Sequence, residues 1–300
     1  MVPDKTGSGS HCLVPKSGGA VFNTAIALGR LNAPSSLFTG VSDDMFGRQL
    51  SSELAASQVN QGQLVVLDAP TGLAFVELNE GQAQYTFYTA GAADTCLNPE
   101  NCPTDLDGTN ALFFGGISLC KDPTATTLAS FMEKAADQGV VTMIDPNIRQ
   151  SFIRDEATYR ARISKMMSCA DIVKISDEDL AWIAGTDTSV EDQVKNLPFS
   201  ETALILVTKG ASGADCFRNN TLVAHAVGKR VEVADTIGAG DTFNAGFLAI
   251  LEKWGVLTKN GLKDLAPQKI EAAMDYANRC ASVTVSRQGA NPPWENEVPE

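Results

Sequence analysis

Residues 233–247 read VADTIGAGDTFNAGF, and three features meet in that stretch. Val231 and Val233 look like the end of an apolar strand that runs into Asp235-Thr236 and then into the glycine turn Gly238-Ala239-Gly240. Glycines let backbone approach a ligand closely and adopt unusual angles. Asp241 then stands at the mouth of an apolar helix, whose start offers unpaired N–H groups and the positive end of a dipole. An anion cradle beside a carboxylate base is what phosphoryl transfer to an alcohol requires. The competing reading is a glycine turn with an acidic first helical turn that merely stabilises the helix. Two sharper alternatives fail on the letters. A dinucleotide fingerprint needs glycine where Phe243 stands, and the chain holds no G-x-x-x-x-G-K-[ST] string.

Working backwards, residues 111–226 alternate regularly. ALFFGGISL, VVTMID, ADIVKIS and ALILVTKG read as short apolar strands; Thr124–Gln138, Glu156–Cys169 and Asp177–Ala184 read as helices between them. A hairpin follows around Asn219-Asn220, and a last helix is expected at Gln268–Ser286. Such alternation implies an α/β fold with a mostly parallel sheet covered on both faces. The polar strings PNIR, KIS-DED, TKG and GAGD all fall at strand carboxyl ends, where such sheets bind ligands.

Residues 64–90 differ. Alternating Leu73, Phe75, Glu77 and Tyr85, Phe87 flank the turn Asn79-Glu80-Gly81, a hairpin pattern read as a small appended sheet or lid. Its aromatics either pack within that sheet or cover a substrate. Near the start, Gly18-Gly19 opens a helix, AVFNTAIALGRL, with Asn23 in its first turn, and a second helix is expected at about Phe46–Ser57. An amide on an apolar stretch needs partners, so Asn23 is either a cap-like structural residue or a ligand for hydroxyls. Residues 1–17 are turn-rich, with no strand-length apolar run.

The bulk numbers bound the answer. Three hundred residues, 44% of them hydrophobic, suit a single large domain. A net charge of −13 disfavours nucleic acid and anionic membranes as partners. No apolar run has the length of a membrane span and no signal-peptide pattern opens the chain, so a cytoplasmic protein is expected. Seven scattered cysteines without C-x-x-C read as reduced thiols, and His11 and His225 have no partner at ligand spacing.

With these residues in view, the chain resembles the ribokinase-like (PfkB) carbohydrate kinases over essentially its whole length. DTIGAGDTFNAG resembles the family's carboxy-terminal signature, and SGGAVFNTAIALGRL with GVSDDMFG its amino-terminal one. DPNIR, ADIVKISDEDL and LVTKGASG resemble the fructokinase branch. The resemblance implies ATP-dependent phosphorylation of a sugar, fructose first among candidates, with 2-keto-3-deoxygluconate kinase, ribokinase and nucleoside kinase as rivals. A sugar-binding or regulatory homologue that has lost its chemistry is the rival from another class.

Residue by residue, the resemblance makes Asp241 the base and the amides of Gly238, Ala239 and Gly240 the anion hole. Gly18, Gly19, Asn23 and, from the lid, Phe87 match sugar-binding positions; Arg149 matches an arginine that reaches the sugar site in some members, with neutralising phosphate as the alternative. Lys174, Thr208, Lys209, Gly210, Gly213 and Asn278, with Gly238 and Gly240, match the ATP site. Asp179 matches a carboxylate that organises the water shell of Mg²⁺, the family's Asn-x-x-Glu reading Ser176 and Asp179 here; an ordinary acidic helix start is the alternative. Asp235 and the Ile237 carbonyl match a monovalent-cation site, for K⁺. A homodimer through the lid is a further expectation, since exposed sheet edges invite pairing. The lid is expected to use strands at about 64–90 and part of 1–17.

One departure stands out. The family's first apolar strand, ending in a sugar-gripping aspartate, has no counterpart before Gly18, and Asp4 follows no apolar run. The expectation is a chain that starts late, and that is less stable or less active than a version extended upstream, because a strand lost from a sheet leaves unpaired backbone groups.

Overall fold

The computed structural model describes residues 1–79 and 82–300, and side chains outside 77–85. The chain opens with an antiparallel pair, β1 (Val2–Lys5) and β2 (His11–Val14). Helix α1 (Ala20–Arg30) leads to β3 (Thr39–Ser42), α2 (Met45–Ala56) and β4 (Leu64–Leu67). A second antiparallel pair follows, β5 (Leu73–Asn79) and β6 (Gln82–Tyr88). The regular alternation runs β7 (Ala111–Gly115), α3 (Thr124–Asp137), β8 (Val141–Asp145), α4 (Glu156–Cys169), β9 (Ile172–Ser176) and α5 (Asp177–Ala184). A short α6 (Val190–Lys195) precedes β10 (Leu204–Thr208), β11 (Ala214–Arg218) and β12 (Thr221–Ala226). Helices α7 (Ala239–Lys253), α8 (Lys259–Lys263) and α9 (Pro267–Val285) complete the order.

The six-stranded sheet is ordered β12-β11-β10-β9-β8-β7, with β7 to β10 parallel and β11 and β12 antiparallel. Successive side chains on a strand point to opposite faces. Met143, Ile172, Leu204 and Leu206 therefore pack with Phe243, Phe247, Ile270 and Met274 of α7 and α9. Their neighbours Ile144, Val173, Ile175, Ile205 and Val207 pack with Phe131, Met132, Tyr159 and Ile163 of α3 and α4. Both faces are covered, which is why these strands read as continuous apolar runs.

Helix boundaries follow local chemistry. The Asp44 carboxylate caps α2 by accepting from Phe46 N at 2.9 Å and Gly47 N at 2.8 Å. The same carboxylate takes Thr71 N at 2.9 Å and Thr71 Oγ1 at 2.7 Å, tying the segment ahead of β5 to the body. Ser176 caps α5, whose first turn carries Asp177, Glu178 and Asp179, and left-handed Gly185 ends it. Helix α7 is buried continuously from Asp241 to Leu251 and packs between α1 and α9. Gly246 permits that contact, since a Cβ there would lie 2.9 Å from Ala277 Cα. Among the described residues no helix is long and apolar enough to cross a membrane.

The structure revises four sequence expectations. Residues 1–17, turn-rich in sequence and expected only in part to join the lid, form two strands, β1 and β2, joined to β5 by the Met1 ammonium on Ala74 O at 2.7 Å and Val76 N on Met1 O at 3.0 Å. Strand β1 is exposed throughout, so it carries no apolar pattern to betray it. Secondly, β4 lies outside the β5–β6 hairpin; it pairs in parallel with β3, a strand between the two expected helices that the sequence reading did not single out. Thirdly, Val231 and Val233 end no strand. They are 38% and 62% exposed, and the donors of Ala234 and Asp235 go to Val285 O at the end of α9 instead of to a sheet neighbour. Fourthly, α6 and α8 are additional short helices, capped by Ser189 and Thr258. The expected turn at 79–81 lies partly outside the described residues.

Candidate active site

The registers Gly115↔Asp145 and Thr208↔Ser176 bring the carboxyl ends of the parallel strands to one edge of the sheet. Two helix starts meet there. Gly116, just after β7, lies against the start of α1: a Cβ on it would be 3.1 Å from Ala20 Cβ. Gly240, in the first turn of α7, lies over β9: a Cβ on it would be 3.1 Å from Lys174 Nζ. Asn23 and Asp241, 218 residues apart in the chain, join the two helices. Asn23 Nδ2 donates to Asp241 Oδ2 at 2.8 Å, and Thr24 Oγ1 donates to Asp241 O at 3.3 Å.

Asp241 is 6% exposed. Burial pushes its carboxyl up to about 6; the Asn23 hydrogen bond opposes the rise, the Asp145 charge adds to it, and Lys174 and Arg149 pull it back. A carboxylate with that proton affinity is ionised at neutral pH yet basic enough to accept a hydroxyl proton. Beside it, Gly238 caps α7 in the left-handed conformation at φ 80°, which keeps the turn tight. Ala239 N donates to Thr236 O at 3.3 Å, whereas among the described residues no acceptor meets the amides of Gly238, Gly240 and Asp241. Unpaired amides at a helix start are an anion site.

Around this turn lie four more charged groups. Lys174, 5% exposed, donates from Nζ to Asp145 Oδ2 at 3.0 Å, and Asn244 Nδ2 donates to the same oxygen at 2.7 Å. Asp179, in the first turn of α5, accepts from Ile148 N at 3.2 Å, and its carboxyl is raised by burial against that bond. Arg149 follows β8, with its Nη1 donating to Ile148 O at 2.9 Å. Gly18 and Gly19 are exposed at the start of α1, and Gly19 caps it with φ 121°. Phe87 sits on the appended sheet and meets Phe152, three residues after Arg149, edge-on at 4.2 Å between ring centroids.

The remaining predicted residues form a second group at the β10–β11 turn. Thr208 ends β10; Lys209 N closes the turn on Gly213 O at 2.8 Å, and Gly210 and Gly213 carry φ of 51° and 94°. Asn278 of α9 donates to Val227 O at 3.2 Å, holding the end of β12 beside that turn. Lys209 Nζ pairs with Asp215 Oδ2 at 2.6 Å, and His225 Nδ1 meets Asp215 Oδ1 at 2.6 Å. His225 therefore has an acidic partner that linear spacing conceals, because the hairpin sets Asp215 opposite His225. Asp235 bridges loops: Oδ1 accepts from Ile237 N at 3.0 Å and Oδ2 from Gly289 N at 2.9 Å, while Ile237 is 44% exposed.

Asp145, Asn244 and Thr24 were not singled out in the sequence. Asn244 carried the same signal as Asn23, an amide inside an apolar helix. Asp145 ends a strand and opens DPNIR, a place where a polar residue is expected at a ligand edge.

The chain is 40% identical over 275 residues to a fructokinase of Rhizobium leguminosarum bv. trifolii, covering 92% of this chain and 83% of that one. It is 33% identical to fructokinase-1 of Oryza sativa subsp. japonica, over 95% of this chain and 87% of that one. The crystal structure of a Xylella fastidiosa fructokinase with bound ATP superposes with a TM-score of 0.86 at 26% identity, covering 97% of this chain and 90% of that one. A Vibrio cholerae fructokinase bound to fructose, ADP and calcium gives 0.81 at 27% identity, with the same coverages. Residues 5–297 match the pfkB family carbohydrate kinases, and the chain belongs to that family.

Proposed function

We propose that this chain transfers the γ-phosphoryl group of ATP to the primary hydroxyl of fructose, giving fructose 6-phosphate and ADP. The observation that carries the reading is the meeting of Asn23, Asp241 and the open amides of Gly240 and Asp241 at one point of the sheet edge. Asp241 takes the hydroxyl proton as the oxygen attacks phosphorus. The turn amides receive the charge that spreads over the transferred oxygens, and Lys174 adds a cation beside them. Gly18, Gly19, Asn23 and Arg149 bind the sugar, with Phe87 closing over it from the lid. Thr208, Lys209, Gly210, Gly213 and Asn278 hold the nucleotide.

Asp179, a half-buried carboxylate that feels the charges of Lys174 and Asp145, suits a Mg²⁺ ion that keeps most of its waters. Asp179 would hold such an ion through its waters, and the ion would supply positive charge to neutralise the phosphates of bound ATP. Asp235 and the Ile237 carbonyl border a place for a monovalent cation such as K⁺. Pairing of two copies through the lid belongs to the same reading, supported by exposed Val2, Leu13 and Tyr88. A cytoplasmic setting is part of it too, supported by the free state of the seven cysteines.

A coupled assay of ADP release tests the substrate across fructose, ribose, 2-keto-3-deoxygluconate and adenosine. Fructose is expected to give the highest kcat/KM. Preference for another acceptor overturns the substrate, and sugar binding by calorimetry without ADP release overturns the activity.

A further inference from the structure

Beyond β10 and β12 two backbone segments touch, and one buried carboxylate is tied to both. The first is the turn 209–213, where Lys209 N donates to Gly213 O at 2.8 Å and Ser212 N to Lys209 O at 3.0 Å. The second is 226–228, at the end of β12. A Cβ on Gly213 would strike Ala226 O, and one on Gly228 would strike Ala211 O, so the two segments meet backbone to backbone. Asp215 is 7% exposed; its Oδ2 accepts from Lys209 Nζ and its Oδ1 from His225 Nδ1, both at 2.6 Å. A carboxylate only accepts, so the hydrogen sits on Nδ1. Lys209 heads the turn, and His225 stands one residue ahead of Ala226. The turn has little stiffness of its own, since Gly210 and Gly213, at φ 51° and 94°, have the most conformational freedom to lose. An apolar group would stabilise the sheet about as well as a buried ion pair; what the carboxylate adds is direction, two charge-assisted bonds to two chosen segments. Alternation along β11 turns Ala214 and Cys216 toward α7 and α9, the side from which Asn278 reaches Val227 O. Asp215 points to the opposite face and so acts through Lys209 and His225.

We propose that Asp215 is a positioning residue for nucleotide binding: by holding Lys209 and His225 at once, it locks the glycine turn onto the end of β12, so that ATP meets a surface already in shape. The proposal rests on the kinase reading above, which seats ATP at this turn. Asp215 takes no part in the transfer, so its loss is felt in ATP affinity and not in turnover once ATP saturates.

The test uses the full chain and reads the Kd of ATP by calorimetry together with kcat and the KM values for ATP and fructose. Asp215→Ala should weaken ATP about tenfold in both Kd and KM, with kcat at saturating ATP and KM for fructose changed less than about twofold. His225→Ala should weaken ATP about threefold alone and no further once residue 215 is alanine, because the imidazole acts through that carboxylate. His225→Asn, whose amide places a donor near the position of Nδ1, should restore the affinity of wild type. A folded Asp215→Ala protein that binds ATP as wild type does would overturn the proposal. So would parallel losses in kcat and both KM values, the mark of general loosening. If Asp215→Ala fails to fold, the His225 side chain, 45% exposed, decides the matter. Unchanged ATP affinity in His225→Ala then overturns the lock, and weakened affinity that His225→Asn restores supports it. Calorimetry needs no acceptor: wild type that binds ATP yet phosphorylates nothing sinks the kinase activity and leaves this test standing, whereas wild type that binds no ATP sinks both.

Discussion

Replacing Asn23 by alanine removes the amide that donates to Asp241 Oδ2 at 2.8 Å and leaves the carboxyl in a buried place that water reaches poorly. A hydrogen bond to a charged group contributes about 1.5–3 kcal/mol. One pKa unit corresponds to about 1.4 kcal/mol, so losing a donor that favours the ionised form should raise the carboxyl by about 1–2 units. Starting from about 6, the acidic limb of activity would move to about 7–8. Near neutral pH, wild-type Asp241 is about nine-tenths ionised, against about a tenth to a half in the variant, a two- to tenfold loss that alkaline buffer restores. The assay is kcat/KM for fructose from about pH 5 to 9, which reports the free enzyme. Any sugar contact made by Asn23 adds a loss that does not vary with pH. A folded Asn23→Ala protein whose acidic limb stays near that of wild type would refute the coupling of this amide to the base.

Two further outcomes follow from the same geometry. Asp241→Asn should cut turnover by about 10²–10⁴-fold while leaving sugar binding measurable by calorimetry. It should also be the more stable protein above about pH 6: the raised carboxyl favours folding when protonated, and that help is lost as pH rises from its ordinary value through about 6, a difference on the order of 3 kcal/mol readable as a higher Tm. Asp44→Ala should cost about 1–2 kcal/mol in chemical denaturation near neutral pH, through the lost cap of α2 and the freed Thr71. Burial, the largest single influence on the Asp44 carboxyl, raises it, but the Gly47, Thr71 and Ser42 hydrogen bonds together outweigh it and hold it at about 2, so its contribution is present above the ordinary carboxylate value and fades as pH falls toward 2. A flat acid profile in wild type relative to the variant would count against that account.

The central sheet was legible because β7 to β10 bury both faces and so appear as unbroken apolar runs. Helix α5 was legible to the residue, since Ser176 starts it and Gly185 stops it by local chemistry. Strands β1 and β3 were not legible. The first is exposed and held by backbone bonds to β5, and the second is a four-residue piece whose partner, β4, looked like part of the lid. Val233 misled because an apolar residue on an exposed segment carries no mark of where its backbone bonds go. Within the site, the glycine turn and Asp241 stood out by spacing, whereas the Asp145–Lys174–Asn244 contacts join positions 29 and 99 residues apart that only the fold brings together.

Helix α7 is packed on every side from Asp241 to Leu251, while the elements that the proposed function puts on the sugar side are the first turn of α1 and a sheet attached through a few backbone bonds and Thr71. On that proposal the base is mounted on the least replaceable part of the molecule, and the walls around its acceptor on the most replaceable. For a designer this separates two kinds of change. New acceptors are sought by exchanging side chains on β1, β5, β6 and the opening of α1, with Asp241 kept as the surveyor's fixed mark from which each new hydroxyl is positioned. Substitutions along α7 itself would move that mark, and every acceptor would lose turnover alike.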